Sequence, residues 1–260
     1  MKIVKMDKKQ AEDFVYKSYL KAQKYQEYGA KDSKKRRNDL TFDLIRKKSN
    51  IPCVVVTGSK GKGSVSNMIS QILQTKCTVG LMTSPHIVDF CERFRVNGGK
   101  ITEYEFAKQM SMIQEEIEAI DAAIPEDVCI SPMGIQAYLA LNYFESQGTQ
   151  FNVFECGKGA KFDDVNNIKH DYAVINSIFL EHTRELGETI EEIAEDKAHV
   201  ITKEDKSVGK GVSVMSGEQK CVYVAEQVPS VLKVIKDRAD ELSVPLKIDI
   251  NIGKNWFETK

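Results

Sequence analysis

Thr57-Gly58-Ser59-Lys60-Gly61-Lys62-Gly63-Ser64 is the stretch whose residue types and spacing can do chemistry. Glycines at 58, 61 and 63 allow backbone angles that a side chain forbids, so successive N–H groups can converge on phosphate oxygens. Lys62 adds a long-reaching positive charge, and Ser64 a hydroxyl that can ligate Mg2+ or a phosphate. Two residues separate Gly58 from Gly61 where the common phosphate loop has four, and Gly63 stands between the lysine and the serine. Alone, such a run also suits an ordinary glycine-rich turn. Its flanks favour nucleotide binding: an apolar strand-like run from Cys53 to Val56 enters it, and Val65, Met68, Ile69, Ile72 and Leu73 follow at helical spacing. The helix N-terminus adds unpaired N–H groups and the positive end of its dipole.

Three more strand ends carry reactive side chains. A short apolar run, Thr78 to Thr83, ends in Ser84-Pro85-His86, where open α/β sheets bind ligands. His86 taken alone suits a hydrogen-bonded loop residue as well as a ligand. Phe151 to Cys156 carries Glu155 at its carboxyl end, before Gly157-Lys158-Gly159. A strand-end acid beside a phosphate loop is a usual way to hold Mg2+, and a solvated strand-end Glu is the alternative. Tyr172 to Phe179 leads to Glu181-His182-Thr183, and a helix capped by Thr189 and Glu192 puts Ile190, Ile193, Ala194, Ala198 and Ile201 inward. Lys197, one turn after Ile193, lies near that inward face and needs a negative partner or a covalent change.

The elements that must position these residues alternate. Helices are expected over Ala11 to Lys24, from Thr102 and Glu105 (a capping box) through Phe106, Met110, Ile113, Ile117 and Ile120, from Ser131-Pro132 to Gly148, and from Ser230 to Leu242. Further strands are expected at Val212 to Met215 and Leu246 to Ile250. Gly29 marks a break, and the basic run Lys34 to Arg37, with Arg46 to Lys48, reads as the solvated side of a helix, not a nucleic-acid site. Strands separated by helices imply an α/β, P-loop-type, doubly wound, mainly parallel sheet with helices on both faces. A single domain over 1–260 is expected, with 1–50 a helical segment and 51–260 the core.

Composition sets the outer bounds. The 260 residues are 42% hydrophobic and 29% charged, with net charge -1, which gives no field for nucleic acid or membrane. The six cysteines lack metal-ligand spacing and read as reduced core thiols, which with no signal-peptide core fits a cytoplasmic protein.

Five stretches together resemble one family, the folylpolyglutamate synthase and dihydrofolate synthase branch of the Mur ligases. They are Thr57 to Ser64, close to that family's TGTNGKGS; Thr83-Ser-Pro-His86 with Glu92-Arg93 and Asn97-Gly98; Glu155-Cys-Gly-Lys-Gly159; His182-Thr183 with Leu186-Gly187; and Ile193 to Ala198. The resemblance implies an ATP-dependent, ADP-forming carboxylate–amine ligase that forms an amide through an acyl phosphate. It implies nucleotide binding by Gly58, Ser59, Lys60, Gly61, Lys62, Gly63 and Ser64, with Lys62 on the β- and γ-phosphates. One Mg2+ would be held by Ser84 and Glu155, and a second by Glu155 and His182. Lys197 resembles the family's carbamylated lysine, and Lys62, Glu155, His182 and Lys197 form the implied catalytic set.

Departures lie nearer the substrate than the phosphates: Ala160 and Lys161 replace a glycine and an arginine, Glu181 an aspartate, and Pro132-Met133-Gly134 stand where a glutamate is common. Folate and glutamate are the implied substrates, and the family's carboxy-terminal domain, absent from 1–260, an implied partner or separate subunit. Two other readings fit the residues: a nucleotide-binding module or truncated paralogue without ligation, and a Mur-type ligase for another acidic substrate.

Overall fold

The structure is a computed structural model that describes residues 5–25, 37–203 and 221–248. In chain order come α1 (Lys8–Gln23), a 3-10 turn (Asn38–Thr41), α2 (Phe42–Lys48), β1 (Cys53–Thr57), α3 (Lys62–Leu73) and β2 (Val79–Met82). A 3-10 turn (Phe90–Arg93), β3 (Phe94–Val96), β4 (Gly99–Lys100), α4 (Glu103–Ala123), α5 (Pro132–Ser146) and β5 (Phe151–Glu155) follow. The chain continues through a 3-10 turn (Asp164–Asn167), β6 (Tyr172–Ile175), α6 (Ile190–Ala198), β7 (Cys221–Val224), α7 (Pro229–Leu242) and β8 (Leu246–Ile248).

The eight strands form one sheet in the order β4-β3-β2-β5-β1-β6-β7-β8. From β2 to β8 all pairs are parallel, while β3 runs antiparallel to β2, and β4 to β3. The α/β, mainly parallel expectation holds. The β3–β4 hairpin was not expected, although Asn97-Gly98 at its turn is a strong hairpin dipeptide, with φ of 47° and 79°.

β1 lies between β5 and β6, so the connections leaving β1 and β5 pass in opposite directions across the sheet. That switch point opens a crevice outside the carboxyl ends of β1 and β5, and their register places Val56 beside Glu155. The elements that lead into the glycine loop and into Glu155 are thereby neighbours.

Alternation along the buried strands divides the core in two. Val54, Val56, Leu81 and Val153 face one side, where Val65, Ile69 and Leu73 of α3 cover them. Val55, Met82, Phe154 and Ile175 face the other side, in a cluster shared by α1, α2, α4, α5, α6 and α7. Helices thus lie on both faces but unequally. The apolar residues of α3 also divide: Met68 and Ile72 are 63% and 69% exposed, and so are not core.

Several boundaries move for local reasons. Ser131 caps α5 through Met133 and Gly134 N–H, Pro132 opens it, and Gly148 beyond its end takes a positive φ of 64°. Thr189 and Glu192 cap each other's backbone at α6. At α4 only the Thr102 half of the expected box forms, because the Glu105 carboxylate turns to Lys108 and Gln109. The strand expected over Tyr172 to Phe179 stops at Ile175, because the next residues hydrogen-bond to the glycine loop instead. Gly29, Lys34 to Arg36, Val212 to Met215, and residues 249–250 lie outside the described residues. The described part of 1–50 belongs to the main core, since Phe14, Val15 and Ile45 are buried in the larger cluster. Among the described cysteines none forms a disulfide, and all but the half-buried Cys77 are buried.

Candidate active site

The glycine loop is held from below by the segment after β6. Ser59 N–H donates to Ser177 O at 2.9 Å, Phe179 N–H donates to Ser59 Oγ at 2.9 Å, and Asn176 Nδ2 donates to Lys60 O at 2.6 Å. This closeness explains the glycines. Gly58 and Gly61 take φ of 140° and 74°, and a Cβ at either would lie 2.8–2.9 Å from the Asn176 side chain. Gly61 then caps α3 with no side-chain hydrogen bond, which leaves the helix N-terminus to a ligand.

Lys62 and Lys197 meet at one atom. The Gly58 carbonyl oxygen accepts from Lys62 Nζ at 2.9 Å and from Lys197 Nζ at 3.1 Å. Lys197 has no exposed surface, and its other partners are Lys158 O at 2.7 Å and Glu181 Oε1 at 3.1 Å. The negative partner is therefore Glu181, a pairing that needed the fold to be seen. Burial pulls the Lys197 amine below its ordinary value, while Glu181 opposes this.

Glu155 is buried to 4% exposure, and its Oε2 accepts from Ser84 N–H at 2.9 Å. Burial raises its carboxyl above the ordinary value against the Ser84 N–H and the Lys62 charge. A Cβ at position 63 would lie 3.3 Å from Oε2, so the carboxylate presses on the glycine of the loop.

An open cleft of about 1010 Å3 is lined by Lys62, Gly63, Ser64, Ser84, His86 and Glu155, with Met68, Ile72 and Ile87 among its apolar lining. The cleft gathers Lys62, Ser64, Ser84 and Glu155. His182 and Lys197 do not line it. His182, at a positive φ of 49°, has Nε2 3.9 Å from Glu181 Oε2 and so groups with Glu181 and Lys197. The Gly58 carbonyl links the two groups.

Acidic residues to which the sequence motifs gave no task of their own build the walls. Glu92 accepts from the N–H groups of Ile87, Val88 and Asp89 at 3.2, 3.3 and 3.0 Å. Asp89 followed by Glu92 has capping-box spacing, a signal already present in the sequence. Asp163 accepts from Gly157 and Val165 N–H, and Asp196 from Ala160 and Lys161 N–H, so two buried acids shape the loop after Glu155. No local pattern announces Asp196 for that task. The Ser84–Pro85 peptide bond is cis.

Among the described residues no three or more His, Cys, Asp and Glu side chains form a ready metal cage. Glu155 with the Ser84 hydroxyl is an all-oxygen set, which suits Mg2+, an ion held by one or two carboxylates together with substrate phosphates. Among the described residues no helix is long and apolar enough to cross a membrane.

Known proteins match this frame. The family profile described as "Mur ligase middle domain" covers residues 56–236. A dihydrofolate synthase/folylpolyglutamate synthase of Bacillus subtilis is 32% identical over 222 residues, spanning 85% of this chain and 48% of that protein. A folylpolyglutamate synthase of Mycobacterium tuberculosis, solved with ADP and AMPPCP, superposes with a TM-score of 0.73 at 22% identity over 84% of this chain and 48% of that one. One from Thermotoga maritima gives 0.69 at 25% identity, over 82% and 46%. The chain thus spans about half the length of these relatives.

Proposed function

We propose that this chain, which belongs to the Mur ligase family through its middle domain, is the ATP-binding part of an ADP-forming carboxylate–amine ligase of the folylpolyglutamate synthase type. The observation that carries the reading is the convergence of Lys62 and Ser64 with Ser84 and Glu155 in one cleft at the switch point of the sheet.

In the proposed reaction a substrate carboxylate oxygen attacks the γ-phosphorus of ATP, and ADP leaves. The amine of an amino acid then attacks the acyl carbon, inorganic phosphate leaves, and the amine nitrogen loses a proton as the amide forms. Such chemistry is mostly positioning and charge neutralisation. The N–H groups of residues 58–64 cradle the phosphates, and Lys62 leaves the Gly58 carbonyl to reach the β- and γ-phosphates. Ser84 and Glu155 would hold Mg2+, which would neutralise phosphate charge, and Glu155 and His182 would hold a second ion. Glu155 already sits against the loop with an oxygen, Oε1, not engaged by Ser84. For His182 the reading requires its side chain, 43% exposed beside Glu181, to turn toward Glu155. Carbamylation of Lys197 would place a carboxylate near the phosphate loop. Its three present partners are those of an ammonium, so that step requires the Glu181 pairing to be given up.

Folate or dihydropteroate, with glutamate as the amine, is the proposed substrate pair, by likeness to the Bacillus subtilis relative. The proposal takes 1–260 as one ATP-binding domain of a cytoplasmic enzyme, working with a carboxy-terminal domain or subunit. The test is phosphate release from Mg-ATP by the purified chain with folate or dihydropteroate and glutamate, with and without a supplied carboxy-terminal domain. Release that needs both substrates is expected. Nucleotide binding without release in any combination would overturn the ligase reading.

A further inference from the structure

Arg93 is a buried guanidinium, 8% exposed, whose hydrogen-bond and ring contacts are neutral groups, while the Glu155 carboxylate acts on its charge from farther off. Its Nη1 donates to Gln136 Oε1 at 2.8 Å, its Cζ lies 4.7 Å from the Phe90 ring centre, and its Nε donates to His86 Nδ1 at 3.0 Å. A ring nitrogen that accepts a hydrogen bond carries no proton, so the proton of the neutral imidazole sits on Nε2. His86 is therefore presented as a donor. Its loop is held on both sides: Ser84 N–H is bound by Glu155, and the N–H groups of residues 87–89 by Glu92. His86 lines the cleft with Lys62, Ser84 and Glu155, and with Arg95, whose Nη1 donates to Gly98 O at 3.2 Å. It also borders a smaller cavity against α1, where Lys8 is already paired with Asp89 and Glu103, and Lys9 with Asp13.

We infer that His86 binds the substrate carboxylate through its Nε2–H, and that Arg93 is the positioning residue that holds the ring in that tautomer. The inference rests on the ligase reading and names a group that takes the carboxylate. Phosphate oxygens have their donors in the N–H groups of the glycine loop and in Lys62. A carboxylate in the same cleft faces Glu155, which repels it, and gains from a neutral donor that brings no second positive charge to compete for the metal. A buried arginine behind the imidazole supplies the polarisation without itself entering the cleft.

The experiment is long-range 1H–15N correlation of the histidine rings in the full chain at neutral pH. The His86 signals are assigned by their loss in His86→Gln among four histidines. The Nε2–H tautomer is expected for wild type. Mg-AMPPCP alone should leave the His86 Nε2 signal in place, and folate added to that complex should move it. By titration, His86→Leu should weaken folate binding about tenfold, the scale of one lost hydrogen bond to a charged group, with Mg-AMPPCP affinity unchanged. His86→Gln, which keeps an N–H near the Nε2 position, should restore most of the loss. Arg93→Lys should mix the two tautomers and weaken folate in parallel.

A wild-type Nδ1–H tautomer overturns the inference, as does folate binding by His86→Leu at wild-type strength. A shift on Mg-AMPPCP alone would make phosphate the partner and overturn the carboxylate assignment. A folate response elsewhere in the spectrum with His86 unmoved sinks this inference alone. No folate response anywhere sinks both this inference and the folate reading.

Discussion

Two ammonium groups, those of Lys62 and Lys197, share the Gly58 carbonyl oxygen. Lys62 is held there by one hydrogen bond to a neutral oxygen, which a phosphate anion would outcompete through a charge-assisted bond. Lys197 keeps two further oxygens when Lys62 leaves. Lys62→Ala should therefore weaken nucleotide binding by about tenfold or more while the fold persists. Calorimetric titration with Mg-ATP showing wild-type affinity would remove Lys62 from the phosphate site. At position 63 the constraint is steric, since the methyl of Gly63→Ala would lie 3.3 Å from Glu155 Oε2 and displace the carboxylate. The expected result is a smaller ratio between nucleotide affinities measured with Mg2+ and with EDTA, by about tenfold. An unchanged ratio would separate Glu155 from the metal.

At the scale of elements, the loop from Ser84 to Arg93 is tied to α1 and to β4 through Asp89, which pairs with Lys8 at 2.9 Å and with Lys100. The Lys100 ammonium, followed by that of Lys8, holds the Asp89 carboxyl well below the usual carboxylate range. A depressed carboxyl contributes stability that is present above the unfolded-state value and lost as pH falls through the folded one. Asp89→Asn should thus lower stability by about 1 kcal/mol at neutral pH, and the gap should close below the ordinary carboxylate range. Urea midpoints of the two proteins at pH 7 and in acid would check this, and a gap independent of pH would refute the ion-pair origin. For α6, Thr189→Ala removes a two-sided cap and should cost about 1 kcal/mol. That loss should appear in thermal unfolding, because the helix carries the buried Lys197 and Asp196.

For the whole molecule, ligand binding and stability are linked. A nucleotide that binds only the folded chain should stabilise it by about 2.7 kcal/mol at a hundredfold excess over Kd. Mg-AMPPCP should therefore raise Tm, and EDTA should remove most of the rise; no rise at saturating ligand would contradict the cradle. Much of this molecule is legible without coordinates. The glycine loop is readable because close backbone approach and positive φ demand glycine at fixed offsets. The helices through Phe106 and Ile135, and the strands at Cys53, Val79, Phe151 and Tyr172, are readable because burial imposes a period. The end of β6 at Ile175 is less so, because residues 176–179 trade strand pairing for hydrogen bonds to a loop more than a hundred residues earlier. Likewise α3 divides its apolar residues between sheet and cleft, and periodicity alone cannot say which face a neighbour covers. The partners of the charged groups lay furthest from view: Glu181 for Lys197, Asp196 for the loop at Ala160, Arg93 for His86. Local spacing determines element type and loop chemistry because backbone geometry acts over a few residues. Which charges meet was decided only by the tertiary structure, because the strand order brings distant segments to the same carboxyl ends.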